Sequence, residues 1–388
     1  MYQYPMMIIK PVYSMSVTPR TVNSLVVSIV LMAVVCFDQA TFTCASSPRE
    51  FLGPEKFSLQ PLWSGDGATS LLVAQDGSLL VFRASQNDQL YRSPDGGATW
   101  ESPRMIGNGA AAGNALVDET NGDVLLLTIG QSTLYRSSDS GVTWSAQPAS
   151  IGSDLFNHPG RQLTSVHSGI TLLEGQFPGR LLMPIRSQGP QGADTPQWRP
   201  LHYASALFSD DRGVTWQASL PFPIMGTAEG AIAELSDGSL LYTAREQISL
   251  GGRYIAGSPI NSGGLHWLYK TRSSELPDGP RGSPFGNNGA LIRLPISGTD
   301  ILLYSNVDSD GGQLPQQVGG TSTAGRERLT VWASLDGGNS WPIKRLVYDG
   351  PAGASHMATG RKGTASEGMI YVLFEGAASG WNSGVQIA

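Results

Sequence analysis

Cysteine is almost absent. The 388-residue chain has two, Cys36 and Cys44, both within its first 45 residues. The remainder can form no disulfide framework, zinc–thiolate centre or cysteine nucleophile. Charge is also sparse: Asp, Glu, Lys and Arg make up 14% of the chain, against roughly 25% in an average soluble domain. Basic residues number 25 against 31 acidic ones, for a net charge of −6, and no Lys/Arg cluster occurs. That balance argues against a nucleic-acid partner. The five histidines (His158, His167, His202, His266, His356) are scattered without metal-ligand spacing, so neither a metal nor a cofactor is expected. No stretch keeps a helical period over three turns, which leaves β-structure as the only regular element to expect.

Long apolar runs are rare. The one that stands out is Leu25–Phe37, uncharged and 13 residues long, which is short against the roughly 20 residues of a stable membrane span. It follows Lys10 and Arg20 and precedes the small residues Ala40 and Ala45, the layout of a secretory signal peptide. Residues 1–45 are therefore expected to be a signal peptide that sends the protein out of the cell. A membrane-anchoring signal and a buried core strand are the other readings of this run. Residues 46–388 are left as one domain.

Glycine (48) and proline (25) are plentiful, and their placement organises that domain. Four segments share one pattern: Ser93-Pro-Asp-Gly-Gly-Ala-Thr-Trp100, Ser137-Ser-Asp-Ser-Gly-Val-Thr-Trp144, Ser209-Asp-Asp-Arg-Gly-Val-Thr-Trp216 and Ser334-Leu-Asp-Gly-Gly-Asn-Ser-Trp341. A degenerate copy spans Ser258 to Trp267. Each follows an apolar or aromatic stretch. The Asp is placed to accept main-chain N–H groups further along its own turn, and the Gly to take a positive φ. Asp76-Gly77, Asn121-Gly122 and Asp237-Gly238 each sit between two apolar runs, the strongest short-range hairpin signal. Strand-and-turn units recurring every 40 to 75 residues or so predict an all-β propeller. The Asp residues of the repeat report architecture rather than catalysis.

The four boxes resemble the sialidase (neuraminidase) superfamily, specifically bacterial-type exo-sialidases with Asp-box (BNR) repeats. Further stretches carry the same likeness: Met225-Gly-Thr-Ala-Glu229-Gly-Ala-Ile, Leu240-Leu-Tyr-Thr-Ala-Arg245, Arg326-Glu-Arg-Leu-Thr-Val and Ile370-Tyr-Val-Leu-Phe-Glu375. The resemblance implies a six-bladed β-propeller with its site at one end of the axis. It implies an exo-α-sialidase-type glycoside hydrolase that removes terminal sialic acid from glycoproteins, glycolipids or oligosaccharides. Sialic acid carries a carboxylate on its anomeric carbon, which suits guanidinium groups and disfavours a carboxylate nucleophile. The family uses a Tyr nucleophile activated by a Glu.

By that resemblance Glu229 takes the place of the Glu that activates the nucleophile. Arg245 and Arg326 take two of three carboxylate-binding positions, with Arg328 the competing choice for the latter. Glu375 takes the place of the Glu that orients the first Arg. Asp88 is the best match to the acid/base Asp, and Arg83 is a candidate to face the substrate. Two positions depart from the pattern. Gly67 stands where the first Arg is expected, and Ala354 where the Tyr is expected. Neither His356 nor Tyr348 nearby is marked as a replacement. These departures raise an alternative: a propeller that binds sialylated glycans without hydrolysing them. A scaffold for protein partners is a third reading. Because the chain ends soon after Glu375, the last blade is expected to have a short final strand or to borrow one from the N-terminal part.

Overall fold

Apolar residues in this chain come in unbroken runs, such as Leu71-Leu72-Val73 and Leu125-Leu126-Leu127, rather than alternating with polar ones. Both faces of such strands must be covered, and a ring of face-packed sheets does this. The computed structural model describes residues 57–84, 89–107, 113–156, 163–165, 167–187, 197, 199–248, 252–279, 286–309 and 326–388. The apolar run at Leu25–Phe37, and with it the signal-peptide expectation, lies outside the described residues, as does Asp88.

Six sheets form the six blades of a β-propeller. Blade one comprises strands Ala68–Val73, Leu79–Arg83, Gln89–Ser93 and Arg104–Met105, in spatial order. Blade two comprises Asn114–Val117, Val124–Thr128, Thr133–Ser137 and Ser145–Pro148. In blade three, Leu163–Ser165 and Ile170–Thr171 together edge Leu181–Ser187, followed by Tyr203–Ser209 and Thr215–Ala218. A short strand, Ser150–Ile151, adds to it in parallel. Blade four is Thr227–Glu234, Leu240–Glu246, Gly252–Ser258 and Leu268–Pro277. Blade five is Ala290–Arg293, Leu302–Val307, Glu327–Ser334 and Ile343–Pro351. Blade six has Ser355–Thr359, Ile370–Ala377 and Gly380–Ile387 from the C-terminal part, and its outermost strand is Gln60–Ser64 from the N-terminal part. The ring is thus closed by the two ends of the domain, which ties the first blade to the last through main-chain hydrogen bonds.

Six hydrophobic clusters correspond to the six gaps between blades. Leu72, Leu80 and Phe82 of blade one meet Ala115, Val117 and Leu126 of blade two. On their other side, Leu71, Val73 and Val81 meet Tyr371, Leu373 and Val385 of blade six. Adjacent residues of one strand therefore serve different interfaces, which explains the continuous apolar runs. A fully buried Leu contributes about 2–3 kcal/mol, so each gap is a substantial source of stability.

The repeated boxes close the hairpins between third and fourth strands. In the first, Ser93 Oγ donates to Asp95 Oδ1 (2.8 Å) and accepts Gly97 N–H (2.8 Å). Asp95 also accepts Thr99 N–H (2.8 Å) and Thr99 Oγ–H (2.6 Å). The copies at Asp139, Asp211 and Asp336 repeat these bonds. In the degenerate copy Ser258 Oγ still accepts Gly264 N–H (3.1 Å), while Ser262 stands in for the Asp by accepting His266 N–H (3.2 Å). The Thr99 hydroxyl and amide hold the Asp95 carboxyl below its ordinary value. These carboxylates are fully engaged in their own turns. Among the described residues the helices are short 3-10 turns, and none is long and apolar enough to cross a membrane.

Candidate active site

Antiparallel pairing decides which residues meet. Ala68 pairs with Arg83, Thr227 with Glu246, Ala290 with Ser305 and Ser355 with Phe374. The start of each first strand and the end of each second strand therefore lie at one end of the axis. The Asp-Gly hairpins and the boxes lie at the other. Glu229, Arg245, Arg326 and Glu375 all belong to the first end.

Glu229 is aimed by a bulge. The register between Thr227–Glu234 and Leu240–Glu246 slips between Thr227 and Gly230, so two residues of one strand oppose one of the other. Bulges of this kind re-aim side chains at functional edges. Here the bulge brings Glu229 Oε2 to 2.7 Å from Arg245 Nη1. Its other oxygen, Oε1, lies 3.0 Å from Arg186 Nη1 at the end of the neighbouring blade's second strand. Arg253, wholly buried, holds the Glu229 main-chain carbonyl (3.1 Å) and is itself fixed by Asp278 (2.7 Å) and the Asn287 carbonyl (2.8 Å). Burial works against ionising Glu229, but Arg245 and Arg186 outweigh it and hold the carboxyl at about 2. It is a fixed negative charge at neutral pH.

Arg326 comes from the loop entering the third strand of blade five. Its guanidinium donates to the Gly286 carbonyl (3.0 Å) and lies over the Trp381 ring at 4.9 Å. Burial and the Arg245 charge push it down to about 9, with Glu229 and Glu375 pulling the other way. The Arg245 and Arg326 charges are therefore felt by one another. Arg328 points elsewhere: it sits in a left-handed backbone conformation (φ 61°) beside a register slip and pairs with exposed Asp349 at 2.7 Å. The bulge separates an inward Arg326 from an outward Arg328.

Glu375 lies two residues before the end of the second strand of blade six, Ile370–Ala377. Its Oε1 accepts the main-chain N–H of Gly67 (3.3 Å), and it lies against Ala354. Burial raises this carboxyl to about 7, Asp66 adds to the rise, and the Gly67 amide and Arg326 oppose it. Gly67 has φ +100°, and a Cβ there would run into the Ala84 carbonyl oxygen. The position expected to hold an Arg is thus a glycine by backbone requirement.

Four of the six sequence-derived site residues converge: Glu229, Arg245, Arg326 and Glu375. Arg83 does not join them. Its guanidinium donates to the Ser64 carbonyl (3.0 Å), approaches Tyr91 Oη (3.4 Å) and stacks on Trp63 at 5.0 Å. Tyr348 packs its ring on Phe374 (5.3 Å). His356 is buried against His167 with ring centroids 4.8 Å apart. Burial takes His356 down to about 4 and His167 well below its ordinary value, so both are neutral. The two imidazoles line an axial cavity of about 700 Å³ that runs along the far parts of the first strands to Glu234, Arg293 and Arg361, and neither Glu229, Arg245, Arg326 nor Glu375 lines it. Among the described residues no three His, Cys, Asp or Glu stand together to hold a metal ion.

Sequence reasoning missed Arg186 and Trp381. Arg186 had a signal: Leu181-Leu-Met-Pro-Ile-Arg186 ends an apolar strand in Arg, just as Leu240-Leu-Tyr-Thr-Ala-Arg245 does. Trp381 had none, since it reaches Arg326 only through the closing hairpin of blade six.

A family model described as a BNR repeat-like domain matches residues 127–371. A sialidase of Micromonospora viridifaciens is 26% identical over 347 residues, covering 78% of this chain and 49% of that protein. The chain thus spans about half the length of that curated relative. Among solved structures, the Hadza microbial sialidase Hz136 superposes with a TM-score of 0.61 at 21% identity, over 83% of this chain and 65% of that one. The intramolecular trans-sialidase from Ruminococcus gnavus superposes with a TM-score of 0.59 at 15% identity, over 84% of this chain and 94% of that one. These structural likenesses establish a shared propeller fold.

Proposed function

The chain belongs to the BNR repeat-like family, within the sialidase-type superfamily, and from that membership we propose that it is a sialidase-like glycoside hydrolase acting on glycans that end in sialic acid. The observation that carries this reading is the placement of Glu229 between Arg186 and Arg245, with Arg326 beside them, at one end of the propeller axis. A surplus of guanidinium over carboxylate at one point suits an anionic sugar. Glu229, ionised and held by two arginines, stabilises positive charge developing at the anomeric carbon.

Residue 354 is Ala, so its methyl group cannot attack. Water is the attacking group in this reading, adding to the anomeric carbon as the bond to the leaving oxygen breaks and losing its surplus proton to solvent water. Asp88 is the acid that protonates that oxygen. Export by residues 1–45 is part of the same proposal and fits substrates on cell-surface or secreted glycoconjugates. The alternative of a glycan-binding propeller without turnover rests on Gly67 and Ala354, and the relatives do not favour it.

The test is turnover of a fluorogenic sialoside by the purified protein. Turnover that falls at least 100-fold in Glu229→Gln supports the proposal. A wild-type protein that binds free sialic acid and releases no fluorophore contradicts it.

A further inference from the structure

Glu375 is a carboxyl with two main-chain neighbours and, among the described residues, no cation in salt-bridge contact. Gly67 N–H donates to it at 3.3 Å, and the Ala354 main chain lies against it. A Cβ at Gly353 would meet the Trp381 ring at 2.7 Å and the second Glu375 oxygen at 3.2 Å, so this side of the carboxyl admits only glycine. The charged groups that face it are Asp66, on the loop entering blade one, and Arg326, on the loop entering the third strand of blade five. Arg326 in turn senses Arg245, Glu229 and Asp278. Glu375 therefore stands beside the arginine cluster proposed to hold an acidic sugar, and part of its surface remains open.

We propose that Glu375 is a specificity-determining group of this site and makes capture of an anionic ligand proton-coupled. This deepens the acidic-sugar reading and rests on it. Trp381, which the Arg326 guanidinium covers, and the second Glu375 oxygen crowd the same point beside Gly353, so an ionised Glu375 repels a carboxylate arriving at Arg326: like charges in one partly desolvated site do not both stay ionised. A protonated Glu375 removes that repulsion and offers an O–H donor instead. The loop geometry makes this stable. The positive φ of Gly67 and its crowding by Ala84 leave no room for a side chain there to bring a permanent counter-ion. With burial placing the carboxyl near 7, it releases its proton in the neutral range, and an anion binding above that range draws one proton back from solution.

Calorimetric titration of the full-length protein with free N-acetylneuraminic acid, in buffers of different ionisation enthalpy, reads that proton directly. Wild type is expected to take up close to one proton per ligand at pH 8 and almost none at pH 5.5. Its affinity is expected to fall towards tenfold per pH unit above 7. The isosteric Glu375→Gln can still accept the Gly67 N–H through its amide oxygen, and is expected to bind with no proton uptake and a flat profile over the same range. The methyl ester of the probe, lacking the charge, should show no uptake with either protein. Equal uptake in wild type and Glu375→Gln, or none in either, overturns the proposal while leaving the acidic-sugar reading intact. A separate infrared measurement needs no ligand. A protonated-carboxyl band present at pH 6, lost by pH 8.5 and missing in Glu375→Gln supports the proposal, and an already ionised carboxyl at pH 6 overturns it. Failure of every variant to bind either probe at any pH removes the acidic-sugar reading and the coupling with it.

Discussion

Gly67 and Glu375, 308 positions apart in the chain, meet through a main-chain N–H to carboxylate hydrogen bond of 3.3 Å. The contact joins the loop entering the first blade to the last blade's second strand, beside the point where the ring closes. It leaves burial as the dominant influence on Glu375, because a single amide dipole neutralises a half-buried carboxylate far less than a guanidinium does.

That difference has a consequence for folding. Glu375 is raised from 4.5 to about 7 in the folded protein. Between those values the native state binds the extra proton, so its stability falls as pH rises from about 4.5 through 7. The full effect is about 3 kcal/mol. Glu229, lowered to about 2, acts in the opposite sense: its contribution is present above 4.5 and is lost as pH falls through 2. Urea unfolding at pH 5.5 and pH 8 should show Glu375→Gln gaining about 2 kcal/mol more stability relative to wild type at pH 8 than at pH 5.5. An unchanged difference at the two pH values would contradict the assignment.

Gly67 is held by its backbone. Gly67→Arg restores the residue type expected from the family, yet φ +100° and the nearby Ala84 carbonyl oppose any Cβ. The variant is expected to lose about 1–3 kcal/mol of stability and to gain no affinity for sialic acid. Thermal unfolding and calorimetry check both. Tighter binding with unchanged stability would show that the loop adapts.

The boxes carry structure alone. Asp139→Ala removes the acceptor for Thr143 N–H and Oγ–H and for Ser137, and is expected to destabilise by about 1–2 kcal/mol. Turnover measured well below the melting temperature should be unchanged, since this hairpin lies at the far end of the axis. A loss of turnover without loss of stability would give the turn a role in chemistry.

Much of the fold was legible because its strongest signals are local. Asp76-Gly77, Asn121-Gly122 and Asp237-Gly238 each close the first hairpin of a blade, and the boxes close the last. Both sets lie at the end of the axis opposite Glu229. The site end is built from loops between second and third strands and between blades, where no short pattern dictates geometry. Glu229, Arg245, Arg326 and Glu375 could be picked out by the stretches around them, and the blades bring them together. What a linear reading could not supply is which neighbour each would find. Arg186 meets Glu229 across a blade boundary, Trp381 covers Arg326 from the closing hairpin, and Arg83 turns onto Trp63 although it follows the same kind of apolar strand as Arg245. Those outcomes depend on bulges and inter-blade packing.

The central claim is that Arg245 and Arg326 grip one carboxylate beside Glu229. Calorimetric affinity for N-acetylneuraminic acid in Arg245→Ala, Arg326→Ala and the double variant tests it most directly. Each single change is expected to weaken binding by about 2–5 kcal/mol, and the double variant by clearly less than the sum, as for groups sharing one partner. Losses that add in full, or a single variant that binds as wild type does, would contradict a shared pocket.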